Sequence, residues 1–204
     1  MIFRHRSTAI ALSATALALV LAGCGSSDST AAGKGSSSQA AAYGPAATGP
    51  HSAQDVSFLS DMLPHHSQAV EMADMALTRE TDPKVKALAQ QIKGEQAPEI
   101  RSMGGWLTGW GEPVPGAAGH DMHAMGAGGD GMMSDGDMAA LDKASGATFA
   151  TLWLEGMTRH HNGAVDMAKV ELAGGQNEQA KALATSIIAA QTSEIATMKG
   201  ILAG

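Results

Sequence analysis

Histidine occurs twice as an adjacent pair in this chain, each time between methionines. His65-His66 lies in "MLPHHSQAVEMADMAL" with Met62 before it and Met72 after it. His160-His161 lies in "MTRHHNGAVDMAKVEL" with Met157 before it and Met167 after it. Imidazole and thioether without thiolate suit copper, because Met favours Cu(I) and His serves both Cu(I) and Cu(II). Zinc comes more often with Cys or with a His/carboxylate set. A di-iron bundle needs Glu-x-x-His on two helices, and the sequence contains none. The plainer alternative is a buried polar layer that fixes register, with methionine as flexible core filler.

The two motifs belong to a longer repeat. At an offset of 95 and without gaps, Phe58–Leu77 and Trp153–Leu172 share 9 of 20 residues, and Lys84–Leu107 and Gln179–Leu202 share 11 of 24. The intervening stretches, Thr78–Pro83 and Ala173–Glu178, share none, so identity follows two helices and skips their loop. That pattern predicts a duplicated helix–loop–helix unit. Start and stop signals agree. Ser52 to Asp55 resembles a capping box, Asp82-Pro83 an N-cap followed by Pro at the first helical position, and Gly174-Gly175 a stop followed by the cap Asn177. Pro64 and Pro98 fall inside the first two helices, where each removes a backbone bond and predicts a kink. No stretch reads as a strand. Two amphipathic hairpins predict an all-α, up-down four-helix bundle, with hairpin 1 at 52–110, a connector at 111–136 and hairpin 2 at 137–204.

On a helical wheel, Met62, His66, Ala69 and Ala73 share the core-facing arc, and His65 and Met72 lie toward its edge. Gln96 and Glu99 fall on the apolar stripe of the second helix and recur as Gln191 and Glu194. Buried polar groups must find partners. The reading is that His66 and His161 turn inward toward Gln96, Glu99, Gln191 and Glu194. His65 and His160 are then expected nearer the edge with Met72 and Met167, where an ion could enter. The connector "GHDMHAMGAGGDGMMSDGDM" adds a second candidate set: His120, Met122, His123, Met125, Met132 and Met133.

The ends of the chain bear on where it works. Arg4 and Arg6, the apolar run Ser7–Leu21 and the close Leu21-Ala22-Gly23-Cys24 form a secretion signal over residues 1–23, too short for a spanning helix. The close resembles a bacterial lipobox, in which Cys24 carries lipid. Residues 24–51 read as a flexible Ser/Ala/Gly tether, and 52–204 as one domain. Cys24 is the single cysteine, so no disulfide forms and no thiolate is left for catalysis. The net charge of −7 becomes more negative once the leader's arginines go, which argues against nucleic acid. The expected location is extracytoplasmic, anchored to the membrane by lipid.

The repeated "FLSDMLPHHSQAVEMA" and "LWLEGMTRHHNGAVDMA", with "GMMSDGDMAAL" before the second copy, resemble the domain-of-unknown-function 305 family over Asp55 to about Leu202. That resemblance implies a ferritin-like four-helix bundle and export, and in some relatives copper binding through Met and His. Carried over, it points to Met62, His65, His66, Met72, Met157, His160, His161 and Met167. The expectation is a copper-binding protein, a buffer or chaperone with a copper-handling partner protein. An interaction bundle and a metal-dependent redox enzyme are the alternatives. No nucleophile triad is apparent.

Overall fold

A computed structural model describes residues 47–79, 82–116 and 131–204. Among these the chain is helical with no strand. The helices are α1 (Ala53–Thr78), α2 (Pro83–Trp110), α3 (Asp135–Lys143), α4 (Gly146–Gly174) and α5 (Glu178–Leu202). The short α3, capped by the Ser134 hydroxyl, is an addition to the four helices expected.

The caps are those the sequence announces. Ser52 and Asp55 bond reciprocally as a capping box, Asp82 caps α2 ahead of Pro83, and the Asn177 carboxamide accepts from Gln179 and Ala180. Each satisfies main-chain N–H groups that have no partner within the helix. α1 and α2 run unbroken past Pro64 and Pro98. Tertiary packing on both sides outweighs the one backbone bond that each proline removes.

Within each hairpin the helices pack closely, α1 on α2 and α4 on α5. The hairpins meet mainly through α1 and α4, while α2 and α5 touch lightly. Ala69 and Ala73 on α1 and Ala164 and Ala168 on α4 are all fully buried.

Two apolar clusters fill the bundle. One gathers Phe58, Leu59, Met62, Met103, Leu107 and Ile187, with Met167 against it. The other holds Met72, Val85, Ile92, Trp153, Met157 and Met198. The methionines obey the duplication. Met62, Met103 and Met167 in one half correspond to Met157, Met198 and Met72 in the other, each shifted by the repeat offset. Both histidine pairs fall along α1 and α4 between these clusters.

A polar node ties the loop between α4 and α5 to the start of α1. The buried Asp55 carboxylate accepts from Ser52 N and Oγ at 2.6 and 2.7 Å, Gln176 N at 3.0 Å and Asn177 N at 2.8 Å. Asn177 Nδ2 donates to the carbonyls of Thr48 and Pro50. Glu171 is fully buried beside Asp55. A methyl group on Gly175 would strike Glu171 Oε1 and stand 2.8 Å from the Glu171 carbonyl. Gly175→Ala is therefore expected to cost about 1–3 kcal/mol by overpacking. An unchanged midpoint in thermal unfolding would contradict this.

Candidate metal centre

α1 has two buried directions, one toward α2 and one toward α4. Consecutive residues on a helix differ by about 100°, so one adjacent pair can serve both neighbours. His66 reaches α2, where its Nε2 lies 2.8 Å from Glu99 Oε2. His65 reaches α4, where its ring sits 3.7 Å from that of His160, centroid to centroid, tilted by 39°. The second copy repeats the plan, with His161 Nε2 2.9 Å from Glu194 Oε2 on α5. The local pseudo-two-fold thus passes between His65 and His160.

This partly corrects the expectation from the helical wheel. His66 and His161 do turn inward to Glu99 and Glu194. His65 and His160 do not lie at an edge: they are 1% and 0% exposed and form the centre of the layer. The wheel assumes one buried face per helix, and α1 and α4 each have two.

Charge and hydrogen bonding define what the layer can hold. A carboxylate only accepts, so the bonded Nε2 of His66 and of His161 carries the hydrogen and Nδ1 carries the lone pair. Those two Nδ1 atoms are buried without a hydrogen-bond partner, and the His160 ring has only the His65 main chain within reach. Burial pushes the His160 pKa well below the ordinary histidine range, and the neighbouring His65, His161 and His66 push it the same way. Burial also lowers that of His161, with Glu194 opposing. Both are neutral, the form in which imidazole binds a metal. Gln96 and Gln191 are buried on the flanking helices. Both ends of the Gln96 amide and Oε1 of Gln191 lack partners. Each acceptor left unpaired costs about 1–3 kcal/mol, and a cation could satisfy the imidazole lone pairs and the amide oxygens but not the Gln96 N–H.

The donor set discriminates among cations. Among the described residues, no three His, Cys, Asp or Glu side chains converge as a ligand group. A zinc site needs about that many. Paired imidazoles with thioethers nearby fit a soft ion of low coordination number. Met62 and Met157, three residues before His65 and His160, are fully buried, as is Met72. Met167 is half-buried in an open groove with Phe58, Asp61 and Val170. In the connector set, Met133 is buried and Met132 half-buried. His120, Met122, His123 and Met125 lie outside the described residues, as does Cys24.

Two contributors escape a reading based on repetition. Gln91 donates to Glu194 Oε1 at 3.3 Å, but its counterpart is Ser186. Gln68 holds the main chain of Met133, and its counterpart is Gly163.

The family model Domain of unknown function (DUF305) matches residues 55–202. A DUF305 fragment from Deinococcus radiodurans superposes with a TM-score of 0.66 at 34% identity, covering 76% of this chain and 99% of that one. A DUF305 protein from Streptomyces coelicolor, which goes by the name of a secreted protein, gives 0.65 at 37%, over 74% and 92%. CopM in its Cu(I)-bound form gives 0.59 at 33%, over 72% and 93%. It is also similar in Cu(II)-bound and Ag-bound forms. An uncharacterized protein of Acanthamoeba polyphaga mimivirus is 41% identical over 49 residues, and this chain spans 32% of its length.

Proposed function

The chain belongs to the DUF305 family, and we propose that it binds copper in the histidine layer between α1 and α4 as a non-catalytic, extracytoplasmic protein. The observation that carries this reading is the convergence of imidazoles: His160 is fully buried with its ring 3.7 Å from that of His65, and the Nδ1 atoms of His66 and His161 are buried beside them without a hydrogen-bond partner. A merely architectural layer would pair them. The inward Nδ1 atoms of His66 and His161 and the thioethers of Met62 and Met157 complete the donors. Bound copper would supply a positive charge that meets these lone pairs. Glu99 and Glu194 hold the two outer rings in the ligating tautomer. The likeness to CopM, which has been crystallised with copper and silver, supports the choice of ion.

An extracytoplasmic location is supported by the leader sequence and by the Streptomyces coelicolor relative. No described helix is long and apolar enough to cross a membrane. Lipid on Cys24 would hold the domain at the membrane surface, within reach of a copper-handling partner.

The test uses the full chain without a histidine tag, exposed in turn to Cu(I), Cu(II) and Zn(II), with bound metal counted. Copper is expected to bind and zinc to be retained poorly. In H65A/H160A, no buried carboxylate loses its partner, so helical ellipticity is expected to persist while copper stoichiometry falls. Full copper retention by that variant, or no copper on the wild type, would return the histidines to architecture.

A further inference from the structure

The connector rejoins the bundle through one methionine whose position is fixed from several sides. Gln68 on α1 clamps the main chain of Met133 twice: Gln68 Nε2 donates to the Met133 carbonyl at 2.9 Å, and Met133 N donates to Gln68 Oε1 at 2.8 Å. Two residues earlier Gly131 turns at φ +80°, and a side chain there would collide with the Arg159 carbonyl. One residue later Ser134 caps α3. The result is seen at Gly156 on α4, one turn before His160. A methyl group built there would lie 2.8 Å from Met133 Sδ and 3.6 Å from Met72 Cε. Two thioether side chains from separate elements therefore converge on the bare surface that a glycine leaves.

Packing alone does not ask for this. Methionine is the adaptable filler of cores, and a leucine held by ordinary contacts would close the same gap. Fixing the main chain by a bidentate amide and two tight glycines places one sulfur. The duplicated half makes the contrast. Gly156, Gln68 and Met72 correspond to Asp61, Gly163 and Met167, and there Met167 faces the open groove beside Asp61. The thioether partner was added on one side only.

We propose that Met133 and Met72 form a thioether site beside Gly156 for a thiophilic monovalent cation, Cu(I) or Ag(I), at the seam between connector and bundle. This rests on the copper reading above and adds to it a second, asymmetric position one helical turn from the histidine layer. Met133 is 7% exposed and Met72 fully buried, so the pair runs from near the surface inward.

The experiment titrates the untagged full chain with Ag(I) in chloride-free buffer by calorimetry. In parallel it titrates Cu(I) anaerobically against a chromogenic chelator. M133L keeps the apolar volume and removes the sulfur. It is expected to weaken the tightest Ag(I) and Cu(I) binding by about ten- to a hundredfold, with the thermal midpoint nearly unchanged because such swaps are well tolerated. M103L, at a core methionine outside the candidate ligands, is expected to leave affinity as it was. Q68A frees the Met133 main chain and leaves every thioether in place, and is expected to weaken the same site about tenfold. Should M133L fail to fold, wild-type affinity in Q68A overturns the site. So does unchanged affinity in a folded M133L, or an equal loss in M103L. Copper lost in H65A/H160A with M133L unaffected sinks the thioether site alone. A wild type that binds neither ion sinks both readings.

Discussion

His161→Ala is expected to destabilise the protein by about 3–5 kcal/mol, because it empties a ring-sized space and takes the main hydrogen-bond donor from a buried carboxylate. His66→Ala, the equivalent change in the first copy, is expected to cost about half as much. The two histidines make the same bond, at 2.9 and 2.8 Å. Their partners differ: the side chain of Glu194 is 2% exposed and that of Glu99 is 22% exposed. Without His66, Glu99 turns to water. Without His161, Glu194 keeps only the 3.3 Å contact from Gln91 and must take up a proton or drag the α2–α5 seam open. Each change also empties a ring-sized space, a penalty common to both. Urea unfolding with a shared m-value measures the difference. Equal costs, or the reverse order, would mean that exposure of the glutamate does not control the energetics of the layer.

The repeat makes much of this legible in the amino-acid sequence. Identities confined to two helices define the hairpin, and the recurrence of Glu99 as Glu194 sets His66 and His161 against them. The direction of His65 and His160 is hidden. A wheel treats a helix as having one inside, whereas α1 packs on both α2 and α4. The Gly156 seat for Met133 is hidden for a related reason. It depends on a local clamp by Gln68 and on Gly131, neither of which recurs, so repetition carries no signal for it. The Asp55–Glu171 node is equally silent. Its residues correspond to Ala150 and Ala76, and carboxylates that far apart in sequence read as ordinary surface charges until the loop at Gln176 folds over them.

That node leads to the second large effect, which is expected to appear as pH rises. Burial pushes the Asp55 carboxyl upward, but bonds from Ser52, Asn177 and Glu171 together hold it below the ordinary carboxylate range. Glu171 lies against Asp55, with Gln54 as its one side-chain donor. Burial first, and the adjoining Asp55 next, push its pKa up to about 8, while Gln54 and Lys181 oppose. Glu171 is thus protonated at neutral pH and can donate to Asp55. From its ordinary value of 4.5 up to about 8 the folded state holds a proton that the unfolded chain has lost. Stability from this group therefore falls as pH rises through that window, by about 1.4 kcal/mol per pH unit at most, and levels off above it. The lowered histidines act oppositely below their ordinary value of 6.5, and the stability from Asp55 is constant over this range, being lost only as pH falls below about 3.8. The difference between wild type and Glu171→Gln isolates the effect, because the amide donates to Asp55 at every pH. Near pH 5 the two proteins are expected to be similar in stability. By pH 8.5 the variant is expected to be more stable by a few kcal/mol, roughly two to four once relaxation is allowed for. Amide hydrogen exchange at Gln176 and Asn177 should quicken in the wild type over the same range and stay slow in the variant. Parallel stability curves from pH 5 to 8.5 would show that Glu171 is ionised in the fold, and that its contact with Asp55 does not depend on a proton.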